Sequence, residues 1–275
     1  MKIYSVIESK VDSELLQNDL NSIVHWCTSN GLVFNVKKCK VVSYTKKAIK
    51  SISDYFINDY KIDRDTTMKD LGIIFDQSLS FNNHIDYVIT TSLKTMGFII
   101  RSTKGMNNIV ALKSLYYGLV RSRLEYGTVI WNPQYKNNKL KLENIQRKFV
   151  KHLHFKQLGT YPTRNTQQSI LLEMFDIKSL YYRRTRYFLS FLYNVVNNNI
   201  DCQCLLSQIC LHVPRFNARQ SEFFKIKFAR TNLGRRTPLN NMVKVFNDYC
   251  LDRDIYFDTF KIIASSIEHL YYVSF

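Results

Sequence analysis

The residues best suited to chemistry in this chain are cations set among aromatic rings. Tyr181-Tyr182-Arg183-Arg184-Thr185-Arg186-Tyr187 interleaves three arginines with tyrosines, and Lys141, Arg147, Lys148 and Lys151 fall beside an apolar stripe. Arg and Lys hold phosphates while rings stack on bases, so this pattern points to nucleic acid. Arg121 and Arg123 extend the same basic region. Only Glu125 and Glu143 lie close to these cations in sequence, too few acids to pair them, so they are expected to be largely unpaired. A second cluster, Cys202-Gln203-Cys204 and Cys210-Leu211-His212, offers four soft ligands. Its one-residue gaps are narrower than zinc sites use, so buried thiols beside a Leu205, Leu206, Ile209 and Leu211 core are expected instead. His152 and His154 lie two apart on a helix, cannot share a metal, and are expected on the surface. The acid pairs Asp63/Asp65 and Asp252/Asp254 sit in polar turns and read as solvated. No nucleophile elbow, phosphate loop or metalloprotease helix is present in the sequence.

Charge sharpens the first of these readings. The 275 residues carry a net charge of +17 and 36 Tyr plus Phe, split equally. Residues 1–100 hold 12 Lys/Arg against 11 Asp/Glu, a net +1. Residues 101–275 hold 27 against 11, a net +16. The basic excess thus belongs to the back of the chain, and a polyanion is the expected partner there. With 45% hydrophobic residues, 8 Gly and 4 Pro, disordered and repetitive classes are excluded. There is no signal-like leader and no apolar run of about 18 residues. An intracellular chain is therefore expected, with six reduced cysteines, no membrane partner and no small-molecule substrate.

The elements that must carry these cations follow from apolar spacing. Leu15, Leu16, Leu20, Ile23, Val24 and Cys27 predict a helix over 12–28, stopped by Asn30-Gly31. Leu32–Phe34 and Val41–Tyr44 read as β-pieces, Tyr55–Ile62 as a hairpin turning at Asn58-Asp59, and Met68–Phe75 as a strand. From Asn82 onward the period becomes helical. One stripe is Ile85, Val88, Ile89, Leu93, Met96 and Ile100, and a second is Ile109, Leu112, Tyr116 and Leu119. A third is Leu142, Ile145, Phe149 and Leu153, and a fourth helix is expected over 177–196, stopped by Asn197–Asn199. The reading is an α+β fold, a helix on a small antiparallel sheet followed by a mainly helical part. Its boundary falls between residues 78 and 82, and the region beyond Val213 is only mixed.

Several segments together resemble one family. Asp19-Leu20-Asn21, Trp26 and Asn30-Gly31-Leu32-Val33-Phe34-Asn35-Val36-Lys37-Lys38-Cys39-Lys40-Val41 are similar to the palm of reverse transcriptases of non-LTR, jockey-like retrotransposons. Met68-Lys69-Asp70-Leu71-Gly72-Ile73-Ile74-Phe75-Asp76, followed by His84-Ile85, resembles that family's primer grip. Leu124–Gly127, Ile130-Trp131 and Leu142–Phe149 resemble its helical thumb, and Leu180–Arg184 the region beyond. The resemblance implies a palm remnant over 1–80, a thumb-like region over 81–160 and a basic helical or mixed region over 161–275. It also implies RNA and DNA template–primer as partners. Lys38, in the Asn-x-x-Lys pattern with Asn35, would lie near the leaving pyrophosphate, with Lys40 beside it. Leu71 and Gly72 would shape a turn at the primer terminus. The family's Mg²⁺-binding aspartates find no match, because Met1–Tyr4 resembles the strand just after its Asp-Asp pair; Mg²⁺ would belong to the full-length enzyme.

The expectation is thus a polymerase fragment that binds nucleic acid through residues 101–236 without catalysing synthesis. A non-enzymatic binding module derived from a retroelement, or a decayed reading frame, is the alternative. Loss of the front palm would also leave apolar surface uncovered near Val33 and Val42. The purified chain should show no nucleotide incorporation on a primed RNA template, and any templated extension would contradict that expectation.

Overall fold

Ser9 opens the first helix, α1 (Lys10–Ser29), with a capping box: its side chain accepts from the Asp12 amide while the Asp12 carboxylate accepts from the Ser9 amide at 2.7 Å. At the other end Gly31 adopts φ +70° and the Leu32 amide closes onto the Cys27 carbonyl at 2.8 Å. In the computed structural model, residues 1–45, 53–213, 222–235 and 237–273 are described. The chain divides into two units, Met1–His84 and Ile85–Phe275. Helices predominate beside small two-stranded sheets, an α+β composition.

In the first unit, Leu20 of α1 packs with Tyr55, Ile57 and Ile62. Gln17 fixes the helix to the sheet by accepting from the Phe56 amide and donating to its carbonyl, both at 2.9 Å. The expected hairpin is present as β2 (Phe56–Ile57) and β3 (Tyr60–Lys61), turning through Asn58 at φ +51°. The rest of the sheet differs from expectation. β1 (Val41–Val42) pairs in parallel with β4 (Arg64–Asp65), so three two-stranded pieces replace one antiparallel sheet. Leu32–Phe34 is not a strand. Val33 is 95% exposed, Val42 is half-buried, and Val36–Lys38 winds into a 3₁₀ turn.

Met68–Phe75 is not one strand either. It folds as a hairpin of β5 (Thr67–Asp70) and β6 (Ile73–Asp76), with Leu71 at φ +44° and Gly72 at φ +85°. Two consecutive left-handed residues make the tight reversal that suits strand twist. Apolar residues continue on both arms, so the periodicity hid the turn.

The second unit begins within α2 (Asn82–Ser102), which buries Ile85, Val88, Met96 and Ile99 while Ile89, Leu93 and Ile100 stay half-buried. After α3 (Ile109–Tyr116) comes one π turn over Tyr117–Arg121, then α4 (Ser122–Glu125). That turn explains a departure from the expected stripe. A π turn takes up an extra residue, so burial steps by four through Leu112, Tyr116, Val120 and Leu124, all 0% exposed. Leu119, expected inside, is left exposed.

Gly127 at φ +64° turns the chain into α5 (Thr128–Trp131). α6 (Lys136–Leu158) then buries Leu142, Ile145, Phe149 and Leu153 as expected, and Phe149 stacks on Tyr116 with centroids 4.0 Å apart. α7 (Gln168–Met174) leads to α8 (Leu180–Val196), capped by Ser179, three residues later than the sequence spacing set its start. Beyond it lie α9 (Gln203–Leu206), α10 (Asn232–Arg235), α11 (Pro238–Tyr249) and α12 (Phe260–Ser265). The region left as mixed completes a core. Phe224, Met242, Val243, Phe246, Ile263 and Ile267 close over Phe188, Leu189 and Leu192 of α8. Each such buried side chain contributes about 1.5–3 kcal/mol.

His84 sets a pH limit on the first unit. It is 2% exposed, and its Nδ1 accepts from the Ile74 amide at 3.3 Å. Burial, with the Lys69 charge nearby, pushes the imidazole down to about 4. The folded state therefore keeps His84 neutral while the unfolded chain takes up a proton below about 6.5. Stability is complete above that value and falls as pH drops toward 4. Between pH 6.5 and 5 the loss should reach at most about 2 kcal/mol. His84→Gln should flatten that part of the urea-denaturation profile of the first unit.

Candidate nucleic-acid interface

On α6, Asn144, Arg147, Lys148 and Lys151 recur at three- and four-residue intervals and so share one face. Gly159 at φ +73° ends the helix and the chain folds back along it. Two contacts hold that return: the Phe155 and Tyr161 rings stack at 4.7 Å, and His154 Nδ1 donates to the Thr160 carbonyl at 2.8 Å. The fold-back brings Arg164 to the same face. Together these five residues line an open concavity of about 460 Å³.

The four cations there have no carboxylate within ion-pair range among the described residues. Arg147 Nε is buried without a hydrogen-bond partner among them. A buried guanidinium nitrogen left unmatched is costly unless an anion meets it. Arg147, Lys148 and Lys151 were expected here from sequence, while Asn144 and Arg164 were not. Asn144 could have been found from its helical spacing. Arg164 could not, since only the turn at Gly159 brings it back.

The arginines of α8 depart from the expectation that no acids pair them. Arg183 donates through Nε and Nη2 to both oxygens of Glu125, and Tyr187 donates its hydroxyl to the same carboxylate at 3.1 Å. Burial opposes the Arg183 charge, but the bonds and charge of Glu125 outweigh it and hold its pKa above the ordinary value. Arg184 is 3% exposed and donates from Nη2 to Glu143 Oε1 of α6 at 3.2 Å. Burial pushes the Glu143 pKa up and the Arg184 pKa down, and their mutual attraction opposes both shifts. Both arginines hold the fold together instead of facing outward. Arg186 is exposed, with its guanidinium 5.7 Å from the Phe260 ring centroid.

Arg121 lies over the Tyr117 ring at 3.5 Å and within 3.8 Å of Glu125. Arg123 is exposed and donates to Thr95 Oγ1 at 3.0 Å. In the first unit, Lys38 ends the 3₁₀ turn on the surface, Lys40 pairs with Asp63 at 3.1 Å, and Leu71 and Gly72 form the exposed reversal of β5 and β6. Within the expected interval 101–236, residues 214–221 and 236 lie outside the described residues.

Other expectations need correction. His152 is buried at 6% exposure, because its helix face turns inward beside Leu153; burial and Lys156 lower its pKa. Cys204 is exposed and Cys202 and Cys210 half-buried, since α9 is a single surface turn, which also leaves Leu206 and Leu211 exposed. Asp63 and Asp252 are exposed as expected, Asp63 also pairing with Lys40 at 3.1 Å, while Asp65 and Asp254 are half-buried, the latter accepting from the Tyr256 amide at 2.8 Å. No three carboxylates, histidines or thiols converge among the described residues, so those present do not fit a Mg²⁺ pair. No described helix is long and apolar enough to cross a membrane. Comparison with protein-family models, curated proteins and solved structures finds no match.

The ion pair inside the second unit has a measurable consequence. Removing one partner of a buried pair strands the other charge, which costs about 3–5 kcal/mol. Arg184→Met alone should lower stability by that much in chemical denaturation. Glu143→Leu combined with Arg184→Met should recover most of the loss, and simple additivity would argue against the pairing.

Proposed function

We propose that the chain binds nucleic acid, RNA or DNA, through the α6 face of Arg147, Lys148 and Lys151 together with Arg164. We further propose that it does so as the thumb-like part of a retroelement reverse transcriptase. The observation that carries the binding reading is the concavity itself: four cations, none paired with a carboxylate among the described residues, around one open space. Their mutual repulsion is relieved when phosphates enter. The Leu142–Phe149 segment that resembles the family's thumb lies on this same helix, which supports the second part of the reading.

Binding of this kind is phosphate-dominated. It should show little sequence preference and a steep loss of affinity with salt. The reading gives this chain template–primer binding and gives no residue of it a role in phosphoryl transfer.

The test is fluorescence anisotropy with a labelled RNA–DNA hybrid over a salt series. Lys148→Gln with Lys151→Gln should reduce the slope of log K against log salt by about 2, one for each lost phosphate contact. Neither residue is buried, so thermal stability should stay unchanged. Wild-type affinity and slope in the double variant would overturn the assignment of this face.

A further inference from the structure

Phe228 is 83% exposed, an unusual position for a phenyl ring. It sits in a segment where Lys225, Lys227 and Arg230 are also exposed. Arg235 places its guanidinium 5.8 Å from the Phe228 ring centroid. None of these four cations is in an ion pair among the described residues.

The segment is built and anchored. At its root Phe224 is fully buried, and Asn247 of α11 accepts from its amide at 3.0 Å and donates to its carbonyl at 2.7 Å. Farther out, Asn240 Nδ2 donates to the Gly234 carbonyl at 2.9 Å and the Lys227 carbonyl at 3.4 Å, tying the two sides together. Arg235 Nε donates to the Ala229 carbonyl at 3.0 Å, which fixes the guanidinium beside the ring. The backbone packs so closely that a Cβ at Gly234 would lie 2.7 Å from that of Ala229. Two buried asparagines of one helix therefore hold an aromatic ring out in solvent.

We infer that Lys225–Arg235 is a second nucleic-acid site, a stacking platform for one unpaired base of a single strand. An exposed ring alone selects no partner, but a ring with one guanidinium beside it and three more unpaired cations in its own segment is complementary to a base with its phosphates. The ring receives the face of a base, which every base presents, and the cations receive the flanking phosphates. A paired base inside a duplex has no free face to offer. The α6 face binds backbone charge whether the strand is single or paired; the Phe228 platform discriminates in favour of the single strand. The inference rests on the nucleic-acid reading of α6 and adds strand preference to it.

The experiment compares a labelled oligothymidylate of about 20 nucleotides with a duplex of equal length, using the full chain. Phe228→Ala should weaken single-strand binding about 5- to 150-fold, the range for one lost stack. Duplex affinity and both salt slopes should stay as in wild type. Phe228→Trp should keep single-strand affinity, and its added fluorescence should be quenched by the oligothymidylate. Unchanged single-strand binding by Phe228→Ala, or equal loss for both probes, would overturn the platform. If Lys148→Gln with Lys151→Gln loses affinity while Phe228→Ala does not, only the platform fails. If the wild-type chain binds neither probe, both readings fail.

Discussion

Adjacent arginines on one helix make the connection on which the second unit depends. Consecutive positions on α8 point about 100° apart, so Arg183 and Arg184 reach different neighbours. Arg183 meets Glu125 at the end of α4, and Arg184 meets Glu143 inside α6. Both carboxylates are withdrawn from water, at 7% and 3% side-chain exposure, which makes each pair costly to break from one side. Apolar contacts supply most of the stabilisation around them, but these contacts have no direction. The ion pairs specify which face of α8 meets α4 and which meets α6.

The same pairing sorts the positive charge. Cations that meet acids in the interior serve the fold, while two groups, one on α6 with Arg164 and one within Lys225–Arg235, meet no carboxylate among the described residues. Arg164, Arg147, Lys148 and Lys151 form one such group and Lys225, Lys227, Arg230 and Arg235 the other. Two clusters on one unit fit a polyanion better than a small anionic ligand, since a long chain of phosphates can engage both.

Much of the fold was legible in local spacing. The ends of α1 and the buried positions of α6 follow from periodicity and capping chemistry, which act within a few residues. Where non-local or subtle backbone effects entered, the reading failed. The π turn moved burial from Leu119 to Val120, and two left-handed residues split Met68–Phe75 into a hairpin. The core beyond Val213 went unread: Met242, Val243 and Phe246 do recur at helical spacing on α11, but Phe224, Ile263 and Ile267 come from short separate segments that meet only when packed with α8. Of the candidate interface, three cations were readable from the α6 pattern, while Arg164 and the exposed ring of Phe228 were not.

By itself the sequence determined where the positive charge lies, which helix carries the α6 stripe and which side chains project beside that stripe. These are properties of composition and of a 3.6-residue period, and both are local. Only the tertiary structure decided which cations are available. Glu125 and Glu143 stand 58 and 41 residues before the arginines they neutralise. No pattern along the chain encodes such a distance, because the pairing exists only after α4, α6 and α8 have packed. The consequence is an exchange of roles: the arginine-rich stretch of α8 that looked most like a binding surface holds the interior, and an isolated arginine after Gly159 joins the open basic face of α6.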